Sequence, residues 1–275
     1  MVSNKISVLM STYKKDDSAH LVKAVESMLK QTMKPAEIVI IEDGEIPGEN
    51  QKKLNNLAKH NKCIKLIKIK NNVGLGLALR KGLLECKYDL VARMDSDDIS
   101  APDRLEKQYR AMISQNCDIV GSNISEFINN EENIVSYRKV PENDQDIKEY
   151  IKKRCPMNHM TVLFKKKSVL DCGNYEHFPY NEDYYLWVKM YEKNKKFYNL
   201  QDNLVNVRIG KDMFKRRGGK EYYNSEIKLQ NYLKEKKIIN NRTYVVNCMK
   251  RLIMQRILPN NIREIVYRKY ARSKE

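Results

Sequence analysis

Leu90-Val91-Ala92-Arg93-Met94-Asp95-Ser96-Asp97-Asp98 is the stretch on which the reading of this chain turns. The short apolar run reads as a buried strand, and three carboxylates follow where that strand leaves the core. Like charges this close repel one another unless a cation sits among them. Carboxylate oxygens suit Mg²⁺ or Mn²⁺, and a metal held by a few carboxylates keeps positions open for phosphate oxygens. The competing reading is an acidic loop capping the helix that begins near Pro102. Arg93, inside the apolar run, is assigned no role.

Outward from this stretch, strand and helix alternate. Residues 6–10, 37–41, 64–69 and 118–121 read as strands. Leu21, Val22, Val25, Met28 and Leu29 recur at helical spacing, as do Leu54, Leu57 and Ala58, and residues 74–85 and 105–113 read as further helices. The βαβα order predicts a mostly parallel sheet with helices on both faces. Such sheets bind ligands beyond the carboxyl ends of their strands. Ser11-Thr12-Tyr13, Asp43 and the acids at 95–98 are therefore expected at one edge. After residue 121 the pattern changes. Short strands are predicted at 122–128, 134–140, 161–164, 197–200 and 204–208, with a helix over 182–193. Beyond Gly218-Gly219 the chain reads as helical to its end.

The composition narrows the partners. With 52 basic and 35 acidic residues in 275, the formal charge is +17. That excess points to a polyanion: nucleic acid, anionic lipid or a phosphorylated substrate. Residues 221–275 hold 13 Lys/Arg against 5 Asp/Glu, a net +8. The six cysteines form no C-x-x-C pair and no spacing that suggests zinc, and they fit buried thiols in a reducing cytoplasm. Met1-Val2-Ser3-Asn4-Lys5 leads directly into a strand, so no signal peptide is expected, and no run of about 18 apolar residues is present to span a membrane.

Several segments, in order, resemble family 2 glycosyltransferases. They are Ile6-Ser7-Val8-Leu9-Met10-Ser11-Thr12-Tyr13, Ala24-Val25-Glu26-Ser27-Met28-Leu29-Lys30-Gln31-Thr32 and Glu37-Ile38-Val39-Ile40-Ile41-Glu42-Asp43-Gly44. Asn72-Val73-Gly74-Leu75, the stretch from Met94 to Leu105, Asn158-His159-Met160-Thr161-Val162 and Asn181-Glu182-Asp183-Tyr184-Tyr185-Leu186-Trp187 continue the likeness. Each motif alone is weak, but their collinearity over residues 5–220 is specific. The nearest likeness is to bacterial transferases that build exopolysaccharide, capsule or O-antigen. The resemblance implies a GT-A fold, which is α/β and Rossmann-like with a mostly parallel central sheet, followed here by a helical C-terminal extension. It divides the chain into a catalytic domain over 1–220 and a basic helical extension over 221–275. Within the domain, 1–121 would be the nucleotide-binding half and 122–220 the acceptor-side half. It also implies an inverting mechanism, a nucleotide-sugar donor and a divalent cation.

Roles follow from that likeness. Ser11, Thr12 and Tyr13 would cradle the nucleoside, the alternative being a surface turn. Asp43 would accept a hydrogen bond from the uracil ring, against a plain turn-forming role before Gly44. Asp97 is the expected metal ligand and Asp95 its partner near the ribose or a metal-bound water. Asp98 either supports them or caps the next helix. Asp183 is the expected general base, drawing the proton from an acceptor hydroxyl at the start of a helix. Glu182 stands beside it. Trp187 either stacks on a sugar or lies in the core. His159 either lies near the diphosphate or acceptor or is structural. Arg216 and Arg217, with Arg208 before them, would close over the diphosphate or remain a solvated charge run.

In the tail, Val245, Val246, Met249, Leu252, Ile253 and Ile257 form one helical stripe beside Arg242, Lys250, Arg251 and Arg256. A basic amphipathic helix can lie on an anionic bilayer, or its stripe can pack on the domain. The expected function is a metal-dependent inverting transfer of a hexose or N-acetylhexosamine. The donor would be nucleotide-linked, most simply UDP-linked, and the acceptor a lipid-linked saccharide. The protein would be cytoplasmic, with peripheral contact at the inner face of the cell membrane. A non-catalytic family member and a basic nucleic-acid-binding protein are the rival readings. The second lacks a recognisable nucleic-acid module.

Overall fold

In the computed structural model, residues 4–210, 218–260, 262–263, 265–266 and 272–273 are described. Three buried parallel strands, β1 (Ile6–Thr12), β2 (Glu37–Asp43) and β4 (Leu90–Met94), lie together, with β3 (Ile64–Ile69) beyond β2. Their side chains alternate between two apolar clusters. Val8, Met10, Ile38, Ile40 and Ala92 face one side, and Leu9, Val39, Ile41 and Val91 face the other. Apolar residues on both faces are what a sheet covered twice by helices requires. The strand β3 sits at the end of the order, and only Ile64 among its residues is buried.

Helices α1 (Ser18–Leu29), α2 (Gly48–His60) and α3 (Leu75–Glu85) connect these strands. Asp17 caps α1 by accepting bonds from the Ala19 and His20 N–H groups at 2.9 and 3.0 Å. In α3, Gly82 lies so close to β1 and β2 that a Cβ there would meet Ile41 Cγ1 at 2.8 Å. This close approach seats α3 on the sheet.

The second half is mixed rather than parallel. Strand β5 (Ile99–Ser100), helix α4 (Arg104–Ser114), β6 (Ile119–Phe127), β7 (Ile134–Arg138), α5 (Asp144–Tyr150), β8 (Leu163–Lys165), α6 (Lys166–Asp171), α7 (Glu182–Glu192) and β9 (Phe197–Arg208) follow. The path through the sheet runs β3-β2-β1-β4-β8-β6-β9-β5, with β7 also on β6. Strand β8 is antiparallel to both β4 and β6, while β6 and β9 run parallel. Two pairs of short strands expected from the sequence are single long strands. Ser122-Asn123 and Gln201-Asp202-Asn203 mark shifts in the β6–β9 register rather than breaks between elements.

The helical tail begins with α8 (Lys220–Glu235) and α9 (Asn241–Leu252), which runs into a π-helical turn over Ile253–Ile257. Leu229 and Leu233 of α8 join the same apolar cluster as Trp187 and Leu186 of α7. The next helix is amphipathic in the inverted sense. Its inward face is polar: Asn247 donates to Gln230 Oε1 at 2.8 Å and to the Lys152 carbonyl at 2.9 Å, and Arg251 pairs with Glu226. Its apolar stripe points outward, with Val245 51% and Met249 57% exposed. The stripe therefore does not pack on the domain. Near the end of the chain, Ser273 bridges Tyr137 of β7, and Arg272 forms a buried 2.6 Å ion pair with Glu126 of β6. No helix among the described residues is long and apolar enough to cross a membrane.

Candidate active site

The carboxyl ends of β1, β2 and β4 meet at one edge because the strands are parallel and in register. There, carboxylate oxygens of Asp95, Asp97 and Asp98 lie within 4.8 Å of one another. Hard oxygen donors alone, converging from one turn, fit a divalent cation such as Mg²⁺ or Mn²⁺. Asp97 keeps an edge open to solvent. Even so, the surrounding protein partly dehydrates it and the charges of Asp95 and Asp16 repel it, which raises its carboxyl to about 6.

Asp98 is buried and does not cap α4. Its Oδ1 accepts from the Arg208 N–H at 2.9 Å, tying the turn to the last residue of β9. Burial and the neighbouring Asp97 and Asp95 hold its carboxyl well above the usual carboxylate range. The Arg208 guanidinium reaches back to the Asp97 carbonyl and lies 4.6 Å over the Phe127 ring.

Two residues that the sequence did not single out belong to this centre. Asp16 lies beside the hydroxyls of Ser96 and Thr12 and accepts from the Tyr13 N–H at 3.3 Å. Partial burial raises its carboxyl, the hydroxyls and that N–H lower it, and Asp95 raises it further. A signal existed in Asp16-Asp17, since one acid is enough to cap α1. Arg93 is the other. It is 2% exposed and forms an ion pair with Asp95. Its Nε and Nη1 have no hydrogen-bond partner among the described residues. Beneath it, buried Arg104 donates to the Arg93 carbonyl at 2.7 Å and to Gln108 at 3.0 Å. Burial and the Arg93 charge lower the Arg104 guanidinium to about 9.

Asp43 ends β2 with its carboxylate engaged by the loop that opens α3. It accepts from the Val73 N–H at 2.7 Å, the Gly74 N–H at 3.0 Å and Asn72 Nδ2 at 2.9 Å. The carboxylate thus braces the loop at 72–74, with three of its roughly four acceptor sites in use. Thr12 is buried, Ser11 half-buried and Tyr13 exposed at the same edge.

Glu182 and Asp183 open α7 on the wall of a cleft of about 960 Å³. Gly76 allows their approach to α3: a Cβ there would sit 2.7 Å from the Glu176 carbonyl and 3.1 Å from Glu182 Cβ. Asp183 accepts from the Tyr184 N–H at 2.7 Å, and the Cys155 thiol lies 3.6 Å from its other oxygen. Burial raises the Asp183 carboxyl, while that N–H, Arg138 and Arg93 hold it down. Glu182 has less help. Burial and the Asp183 charge raise it to about 7. The acids after β4 do not line this cleft. Arg93 links the two groups, since its charge acts on Asp95, Glu182 and Asp183 together.

His159 and Trp187 do not reach the cleft. Burial and the Arg93 charge keep the His159 imidazole neutral, its pKa well below the ordinary value, and its Nε2 lies 2.9 Å from the Tyr175 hydroxyl. Trp187 is fully buried, edge-on to His159. Of their paired readings, the structural ones describe where both side chains sit. Arg216 and Arg217 lie outside the described residues.

Comparison with known proteins bears on this arrangement. Residues 7–217 match the family model described as glycosyl transferase family 2. An uncharacterized glycosyltransferase of Haemophilus influenzae is 43% identical over 227 residues, covering 82% of this chain and 84% of that protein. The UDP-Gal:alpha-D-GlcNAc-diphosphoundecaprenol beta-1,3-galactosyltransferase of Escherichia coli is 37% identical over 98% of this chain and 97% of its own. The amylovoran biosynthesis glycosyltransferase AmsE of Erwinia amylovora is 34% identical over 96% and 98%. Among solved structures, S. aureus TarS 1–349 in complex with UDP-GlcNAc superposes with a TM-score of 0.69 at 14% identity, over 96% of this chain and 77% of that one. That likeness carries the GT-A fold.

Proposed function

The chain belongs to glycosyl transferase family 2, and from that premise we propose that it moves a sugar from a UDP-linked donor to a lipid-linked saccharide, with inversion, in bacterial surface polysaccharide synthesis. The observation that carries this reading is the pairing of an oxygen-only acid cluster with a separate carboxylate on a cleft wall, joined through Arg93. Of two relatives that match this chain over nearly its whole length, one is named for amylovoran biosynthesis and the other for galactosyl transfer from UDP-Gal to GlcNAc-diphosphoundecaprenol.

Asp97 and Asp95 would hold the metal, which when bound offsets charge gathering on the departing diphosphate. Asp98 and Arg208 keep the turn in place, and Asp16 adds a fourth acid to its rim. Ser11, Thr12, Tyr13 and Asp43 line the nucleoside side, where Asp43 acts mainly by holding the loop at 72–74. Asp183 takes the proton of the attacking hydroxyl at its Oδ2 as the oxygen–carbon bond forms and the bond to UDP breaks. Glu182, whose carboxyl burial and the Asp183 charge raise to about 7, stands beside the base. The outward apolar stripe of α9, flanked by Arg242, Lys250 and Arg256, supports peripheral contact with an anionic bilayer.

The deciding experiment is thermal unfolding of the full chain across a nucleotide-sugar panel, with and without Mn²⁺. One UDP-sugar should raise the Tm, by about 2.7 kcal/mol of stabilisation at a hundredfold excess over Kd. Asp97→Asn should remove the metal-dependent part. A panel without any response would sink the donor assignment.

The pH profile provides a second check. Asp183 works only as a carboxylate, and its pKa is raised. Activity should therefore fall as pH drops, with a midpoint above the ordinary carboxylate range. A limb centred near 4 would show that the base sits in an unperturbed environment.

A further inference from the structure

We infer that the basic wall between two adjoining clefts is the seat of the acceptor's diphosphate. Lys153, Arg154, Lys250 and Arg251 line the 960 Å³ cleft that holds Asp183, and the same four residues line a second cleft of about 560 Å³. The four cations thus stand at the junction. Arg251 is already committed, to Glu226 and to the Lys153 and Asn247 carbonyls. Lys153, Arg154 and Lys250 have no carboxylate within ion-pair distance among the described residues. The cleft also carries Glu182, Asp183 and Glu226, but none of them pairs with these three cations, whose mutual repulsion an anion of high charge density relieves. A diphosphate is compact, multiply charged and matched to a guanidinium fork.

The order of groups along the wall gives the inference its direction, and it rests on the acceptor reading above. The Cys155 thiol touches Asp183, and Arg154 is the next residue back. The cations therefore begin one residue from the contact of the base. On their far side the second cleft is lined by Val246, whose neighbours Val245 and Met249 are exposed. Base, cations and apolar surface follow one another as sugar hydroxyl, diphosphate and hydrocarbon do in a lipid-linked saccharide. The donor's diphosphate belongs elsewhere, since the acids after β4 are not on this wall.

Calorimetric titration of the full chain with geranyl diphosphate, at saturating UDP and Mg²⁺, tests the inference. The diphosphate should bind and geraniol should not. The double variant Arg154→Gln, Lys250→Gln should weaken the diphosphate at least about tenfold, with a flatter salt dependence, while leaving UDP affinity and Tm unchanged. Equal affinity of wild type and variant, or equal binding of diphosphate and alcohol, would overturn it. So would a variant that loses only phosphatidylglycerol vesicle binding, because the cations would then serve headgroups. The UDP titration judges the donor reading separately: a chain that binds geranyl diphosphate but not UDP keeps this site and loses that donor.

Discussion

Asp183→Asn is expected to lower sugar transfer by about 10²–10⁴-fold, the usual worth of a positioned general base. Asparagine keeps the size and can still accept from the Tyr184 N–H, so α7 should start as before. What it lacks is basicity. The acceptor hydroxyl must then lose its proton unaided while the new bond forms. Donor affinity should be unchanged, because Asp183 faces the cleft while the acids stand after β4. Glu182→Gln is the control. It removes a neighbour that is itself protonated up to about 7, and it should cost less than about tenfold. Transfer by Asp183→Asn within about threefold of wild type would remove Asp183 from its role.

Arg93→Met should damage both stability and activity. The guanidinium is fully buried and paired with Asp95, and breaking one side of a buried pair costs about 3–5 kcal/mol. Asp95 keeps 29% of its side-chain surface, so hydration softens the loss toward about 3 kcal/mol, or roughly 6–12 °C in Tm. Glu182 and Asp183 would both lose the charge that favours their ionised forms, so activity should fall more than about tenfold even well below the Tm. Lysine restores charge without the planar fork and should rescue only part. A Tm within about 2 °C of wild type, together with full activity, would show that Arg93 is an ordinary core residue.

These two residues also mark the limits of reading the chain without coordinates. The place of Asp183 at the start of α7 was legible because an acid pair opens a helix within a collinear set of motifs. Arg93 was not, because one cation in an apolar run gives no sign of which face it takes. Its alternation with Ala92 puts it on the side of Leu9, Ile41 and Trp187, and only the packing of α7 shows what lies there. Asp16 was hidden behind the capping role of Asp17. His159 and Trp187 drew attention through residue type, yet burial decides what they touch. The strands of the first half were plain because burial on both faces makes them continuously apolar. In the second half, polar residues at register shifts looked like strand ends. The tail's stripe was visible in the sequence. Its outward direction was not, because it depends on Asn247 and Arg251 finding partners on α8 and beside α5.

That inverted helix bears on how substrate is found. The outward stripe shares α9 with Lys250 and Arg251 of the cleft wall, so whatever holds the stripe fixes the bearing of those two cations. If the proposed function holds, a chain settled on a bilayer through Val245, Met249 and their neighbours would no longer tumble with respect to a lipid-borne acceptor. Their encounter would then be a search in a plane, with a rate set by acceptor density per unit of membrane area rather than by concentration in the surrounding fluid.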